Sequence, residues 1–368
     1  MEGAQIENNN TNNNKVLIRE YNEERDIEMV ERLERNCEYS IGSSSKGMMN
    51  IPTIFMGDPL CRVAEMVGSG GELVGIVRGC IKCVGTGFEG RHVKMGCILG
   101  LRVSPKHRRS GIGLKLVKCV ENWAIQNGAE YISMAVEENN VASTNLFVCK
   151  CNYVKLRGPL IILTQPIHHS RNKDRSSRKI KIHKLSIEQA ISLYKNRLGK
   201  KEFFPMDIDA ILNEKLSLGT WVSFFKDENW VGLHGKNKDD DNEHEFTSRS
   251  PSSWAMNWRP SGYLLVYGIH GEGERVGELM KSLWWFAYNL GRNNVEDCKL
   301  MITELGLHDP LTQHVPKGTS MSCTNDFWYL KKVNNGSTSI NGDEKEKEDT
   351  WIRRQQPITN LFVDPRDF

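Results

Sequence analysis

Nothing in this 368-residue chain approaches the roughly 18 consecutive apolar residues of a membrane-spanning helix. Charge of one sign is also lacking. The 49 Lys and Arg against 46 Asp and Glu leave a net charge of +3, which does not mark the whole chain as a nucleic-acid binder. The amino terminus, MEGAQIENNNTNNNK, has no apolar core of the kind a secretory signal needs. Ten cysteines are scattered without secretory context, which predicts reduced thiols in the nucleus or cytoplasm. The one zinc-like spacing, Cys80-Ile81-Lys82-Cys83, has no second pair and lies in a strand-like run, so buried thiols and no metal are expected.

What is present is the composition of a globular protein, 39% hydrophobic and 26% charged, long enough for two domains. KVLIREY reads as a strand, and NEERDIEMVERLERNCEYS as a helix with Ile27 and Val30 on its apolar stripe. CRVAEMV, ELVGIVRGCIKCV and GCILGLRV read as three consecutive strands. A helix follows, with Leu116, Val117, Val120, Trp123 and Ala124 on one face and Gly128 as its stop. AEYISMAV is then a strand, NNVASTNLFVCK a short helix and YVKLRGPLIIL a closing strand. This order predicts an α/β fold, a mixed twisted sheet with helices on both faces.

Composition marks the boundaries. Residues 1–14 read as a disordered leader, 15–165 as the first domain, and 166–184, with seven Lys or Arg against one Asp, as an exposed basic linker. Residues 185–332 alternate strands and helices again, 333–350 form an acidic low-complexity segment, and 351–368 are a tail. A shift of 163 positions places Leu101 and Val103 on Leu264 and Val266, Leu116 on Leu279, Ala124 on Ala287 and Gly128 on Gly291. This suggests an internal repeat. The same shift sets Gly271, Glu274 and Val276 against Arg108, Gly111 and Gly113, so the second copy is expected to keep the scaffold without the glycine-rich turn.

That turn, Arg108-Arg109-Ser110-Gly111-Ile112-Gly113, stands between the strand-like LGLRV and the amphipathic helix. The first amides of a helix have no partner of their own, and glycines without Cβ let a pyrophosphate come close to them. A plain turn with solvated arginines is the alternative. In LRVSPKHRRSGIGLKLV, together with NNVASTNLF, the sequence resembles the GNAT superfamily of N-acetyltransferases over about Val16 to Leu163. Along its whole length it is similar to the plant HOOKLESS-type members, which implies a second, degenerate GNAT-like domain. The resemblance implies acetyl-coenzyme A as cosubstrate. The carried-over contacts are Leu101, Arg102 and Val103 along the strand edge, Arg108, Arg109, Ser110, Gly111, Ile112 and Gly113 at the diphosphate, and Asn140 and Phe147 beyond.

The family's usual catalytic groups are missing. A tyrosine acid is common seven residues after the motif asparagine, and here that position is Phe147. The family's glutamate base has no counterpart in Met95-Gly96-Cys97-Ile98-Leu99. Glu137, Glu138 and His92 are the nearest candidates in sequence, each also readable as an ordinary surface residue, while Cys97, Cys149 and Cys151 read as buried thiols. Two functions therefore stand. One is acetyl transfer to an amine, a protein lysine or amino terminus, with the acidic segment Asp239 to Glu245 readable as an attractor of a basic peptide or as a solvated loop. The other is a coenzyme-binding regulatory module working through protein partners. The run Arg171 to Lys184 reads as a linker or nuclear-import signal in preference to a DNA contact. A role in regulating plant growth is implied by the resemblance alone.

Overall fold

The computed structural model describes residues 16–38, 60–68, 70–87, 91–156, 158–168, 179–227, 253–258 (backbone), 263–294, 298–316, 321–333 and 361–367. The leader, most of the basic run, the acidic segment Asp239 to Glu245 and residues 334–360 lie outside them. The first half opens with β1 (Val16–Glu20), α1 (Glu23–Glu38), β2 (Leu60–Met66), β3 (Leu73–Thr86) and β4 (His92–Val103). It continues with α2 (Ile112–Gln126), β5 (Tyr131–Glu137), α3 (Val141–Asn145), the two-residue β6 (Val154–Lys155) and β7 (Leu160–Pro166). The second half holds β8 (Ile180–Lys184), α4 (Ile187–Leu198), β9 (Glu202–Pro205), α5 (Ile208–Asn213), β10 (Ser217–Phe225) and β11 (Ser253–Trp258). It ends with β12 (Tyr263–Gly271), α6 (Val276–Asn294), β13 (Leu300–Gly306) and β14 (Ser322–Lys332).

Period-2 and period-3.6 patterns located the strands and helices of the first half and six elements of the second, not β8, β9, α5 or β11, and the partners are not those of chain order. One sheet runs β1-β2-β3-β4-β5-β14-β7-β13-β12-β11-β10-β8. The last strand of each half is exchanged. β14 pairs with β5 from Asp326↔Glu137 to Lys332↔Tyr131, and β7 pairs with β13 from Leu300↔Pro166 to Gly306↔Leu160. YVKLRGPLIIL, expected to close its own half, thus breaks into β6 and β7 and crosses to the other. Strand pattern specifies which face is buried and leaves the neighbour open. The linker expectation also changes at its end, because Ile180–Lys184 pairs with β10 as the far edge strand.

α2 lies close on the sheet because the sheet offers it glycines. A Cβ on Gly75, Gly79 or Gly96 would stand 2.9, 2.7 or 2.9 Å from Leu116, Val120 or Ala124, which follow one another at helical spacing along the buried stripe. Gly79→Ala is expected to cost about 1–3 kcal/mol by overpacking, measured as a lower urea midpoint with unchanged slope.

The two halves repeat one unit. β4 and β5 are parallel, as are β12 and β13. In each unit the strand before the helix carries a bulge at a positive-φ glycine, Gly100 (φ 58) and Gly268 (φ 62). Eight residues, 104–111, join β4 to α2, and four, 272–275, join β12 to α6. The ungapped shift of 163 therefore fits the helices and slips the strands. It is the bulge glycines that correspond, in place of Leu101 and Val103 with Leu264 and Val266. The second copy has lost a stretch of backbone along with the glycines.

Candidate functional site

The eight-residue joint of the first half builds a cup. Ser104 N–H donates to the Val74 carbonyl at 2.8 Å, and a 3-10 turn over Pro105–His107 brings the chain round. Arg109 (φ 67) and Gly111 (φ 83) then adopt left-handed backbone on either side of Ser110, and such alternation turns successive amides toward one point. Gly111 caps α2 with no side chain bonded across the helix end. A Cβ placed on it would meet nothing within 4 Å. Arg108, Arg109, Ser110 and Gly111 are exposed, whereas Ile112 is buried and anchors the turn. Positive helix end, open main chain and two arginines together suit a phosphate-bearing ligand.

The cup sits at the mouth of a fork. β4 and β5 pair only through Met95↔Tyr131, Gly96↔Ile132 and Cys97↔Ser133, after which both strands run on unpaired with each other. Ala135 is exposed between buried Met134 and Val136, which marks the opening on the face away from α2. At the bulge, Gly100 lies against Arg78, whose guanidinium would be 2.7 Å from an added Cβ. The carbonyls of Leu101 and Val103 accept from the guanidinium groups of Arg102 (3.1 Å) and Arg108 (3.2 Å). Flexible side chains thus hold the edge that a ligand arm would use.

Residues from the far end of the chain line the same face. Asp326 on β14 lies opposite Glu137 on β5 and Leu160 on β7. Burial and the Glu137 charge push the Asp326 carboxyl up to about 6. Loss of solvent, with Asp326 and Asp367 nearby, holds the Glu304 carboxyl on β13 well above the usual range. Below them Lys82 is clasped by Asp364, at 3.0 Å, and by Asp367. Arg366 binds Asp364 at 2.6 Å and also Asp207. Next to this clasp Leu361, Phe362 and Val363 are buried, with Phe362 edge-on to Phe204 and Tyr194.

Comparison with known proteins agrees with this geometry. Residues 27–153 match the Acetyltransferase (GNAT) family. The chain is 35% identical to "Probable N-acetyltransferase HLS1" of Arabidopsis thaliana, over 96% of this chain and 100% of that one. The chain belongs to the GNAT acetyltransferase family. Its fold is similar to a GCN5-related N-acetyltransferase from Sphaerobacter thermophilus, with TM-score 0.58 at 12% identity over 88% of this chain and 97% of that one. It is also similar to a tandem GNAT protein from the clavulanic acid biosynthesis pathway, with TM-score 0.52 at 11% identity over 88% and 100%. These likenesses concern architecture, a GNAT sheet followed by a second, degenerate GNAT-like unit.

Within this GNAT chain the structure brings Leu101, Arg102, Val103 and the Arg108–Gly113 turn to one rim. Asn140 stands beyond the end of β5, where its Oδ1 accepts from Ser143 N–H at 3.1 Å as the N-cap of α3. Its amide donors are not used in that cap. Phe147, expected on the ligand surface, is 1% exposed and packs edge-on to Tyr153 in the core under α2, where an apolar ring costs nothing to bury. His92 starts β4 and lies about 17 Å from Cys97 along the strand, too far to serve at the fork. Glu137 is exposed at the mouth, and Glu138 accepts from Asn325 at 2.9 Å. Asp326, Glu304 and the clasp had no local signal in the sequence, because the strand exchange brings Asp326 and Glu304 here and the return of residues 361–367 to Lys82 forms the clasp. Among the described residues no helix is long and apolar enough to cross a membrane. Nor does any group of three or more His, Cys, Asp or Glu among them form a metal site.

Proposed function

We propose that this GNAT chain transfers an acetyl group from acetyl-coenzyme A to a primary amine, a protein lysine or amino terminus. The observation that carries this is the open main-chain cup at Gly111, set at the mouth of the β4–β5 fork and cut short in the second copy. The residues present fit the coenzyme. Cup amides and Arg109 meet the diphosphate, and the Leu101–Val103 edge offers main-chain groups to an extended arm once Arg102 and Arg108 swing aside. Acetyl-coenzyme A supplies the activated acyl group. The fork ends in unpaired β4 backbone, whose amides can donate to a developing oxyanion. The likeness to the probable N-acetyltransferase of Arabidopsis supports the same activity.

Titration of acetyl-coenzyme A into the full chain by calorimetry is expected to give saturable one-site binding. Release of free thiol on adding amine then reads turnover. The regulatory-module reading is favoured by one finding, that Phe147 lies in the core where many relatives are expected to place a tyrosine acid. Binding with no thiol release from any amine would decide for that module.

A further inference from the structure

We propose that Asp326, carried into the first half on the exchanged strand β14, is the proton acceptor for the amine substrate. This rests on the acetyl-transfer reading above. Side chains of a strand alternate between faces, and Ile132, Met134 and Val136 of β5 point into the core beneath α2 together with Tyr329 of β14. Ser133, Ala135 and Glu137 therefore point to the other face, with their partners Leu330, Trp328 and Asp326. Cys97, the last paired residue of β4, lies opposite Ser133 and shares that face. Strand spacings put the Cα of Asp326 about 8 Å from that of Ala135 at the fork, a separation that a carboxylate and an acceptor nitrogen bridge directly or through one water.

The surroundings of Asp326 suit the task. The side chain is half-buried, so it is sheltered and reachable. Two other ionisable groups face it, Glu137 from β5 and Glu304 from β13, both acidic. Lys155 on β6 lies over the Phe327 ring, whose strand position points to the α2 side. Among the described residues no Lys or Arg forms an ion pair with Asp326. An incoming ammonium is thus drawn by uncompensated negative charge, and its proton passes to a carboxylate whose basicity burial and the Glu137 charge raise. The balance is simple: an N–H bond of the ammonium breaks as the Asp326 O–H bond forms, and the freed lone pair attacks the thioester carbon. The C–S bond breaks with its electron pair leaving on the coenzyme thiolate, and that thiolate takes up the second nitrogen proton, giving amide and free thiol. Glu137 stands in open solvent, and Glu138 is committed to Asn325.

The test uses the full chain with n-butylamine as the acceptor probe, acetyl-coenzyme A affinity by calorimetry, and kcat/KM from thiol release between pH 5 and about 9, bracketing the expected ionisation. Asp326→Asn is expected to lower kcat at least about 100-fold with acetyl-coenzyme A affinity unchanged, and Asp326→Glu to recover part of it. Wild-type activity should fall on an acid limb that moves to lower pH in Glu137→Gln, because losing a negative neighbour makes Asp326 easier to ionise. Activity of Asp326→Asn within about threefold of wild type overturns the assignment, as does an acid limb that Glu137→Gln leaves in place. So does coenzyme binding with no amine-dependent thiol release at any pH. Absence of coenzyme binding overturns the transfer reading itself.

Discussion

Gly111→Asp is expected to weaken acetyl-coenzyme A binding by at least about 100-fold, close to 3 kcal/mol, while the protein stays folded. The fold tolerates the change for three reasons. A Cβ at this position meets no atom within 4 Å, aspartate accepts left-handed backbone better than most residues, and a carboxylate at a helix N-terminus is favoured by the dipole. Ligand binding is lost for the same reason. The carboxylate folds over the amides of α2 and fills, with the wrong charge, the place a diphosphate would take. Gly111→Asn separates the two effects. It adds equal bulk without charge and should lose much less affinity, so equal losses in both variants would point to shape alone. Calorimetric titration measures the affinities, and circular dichroism melting confirms the fold. A Gly111→Asp protein that binds as wild type does would remove the cup from the site.

Lys82→Met should destabilise the protein by about 3–5 kcal/mol, the range for stranding a buried charge. Lys82 and Asp364 are 8% and 3% exposed, so the partners left behind have almost no water to turn to. Asp364 would keep Arg366, at 2.6 Å, but Asp367 would lose its ion-pair partner. The pH dependence has a definite sign. In the wild type the Lys82 and Arg366 charges hold the Asp364 carboxyl below its ordinary range, so that contribution is present above the unfolded value near 4 and lost as pH falls through the folded one. In Lys82→Met both carboxyls lose that cation and take up protons more readily than in the wild type. The deficit should therefore be largest at pH 8 and shrink toward pH 4.5, roughly the onset of carboxyl protonation. Urea unfolding at the two pH values measures it, and a deficit that grows on acidification would contradict the clasp.

Much of this was legible from residue order alone. The turn Arg108–Gly113 could be read because its chemistry is local: glycines for approach, arginines for charge, and a strand and helix whose periodicities change on either side of it. The loss of the second cradle was legible as substitutions, though not as a shorter loop, since an ungapped comparison cannot show four missing residues. Phe147 was misplaced because its spacing from Asn140 is that of the family, while a π turn over Leu146–Lys150 carries it into the core. Glu137, Glu138 and His92 are the nearest candidate bases only by neighbourhood in sequence. Asp326 lies nearly two hundred residues on, and no pattern within either half announces that their last strands trade places.

The sequence by itself determined the repeated strand-helix units, the glycine-rich turn and the family, because each depends on contacts between residues close in the chain. Tertiary structure alone decided which strand lies beside β5, where residues 361–367 come to rest and which carboxylates share the face of the fork. Those outcomes depend on sheet edges that accept any strand of suitable pattern, and the choice among them is made by burial over the whole molecule.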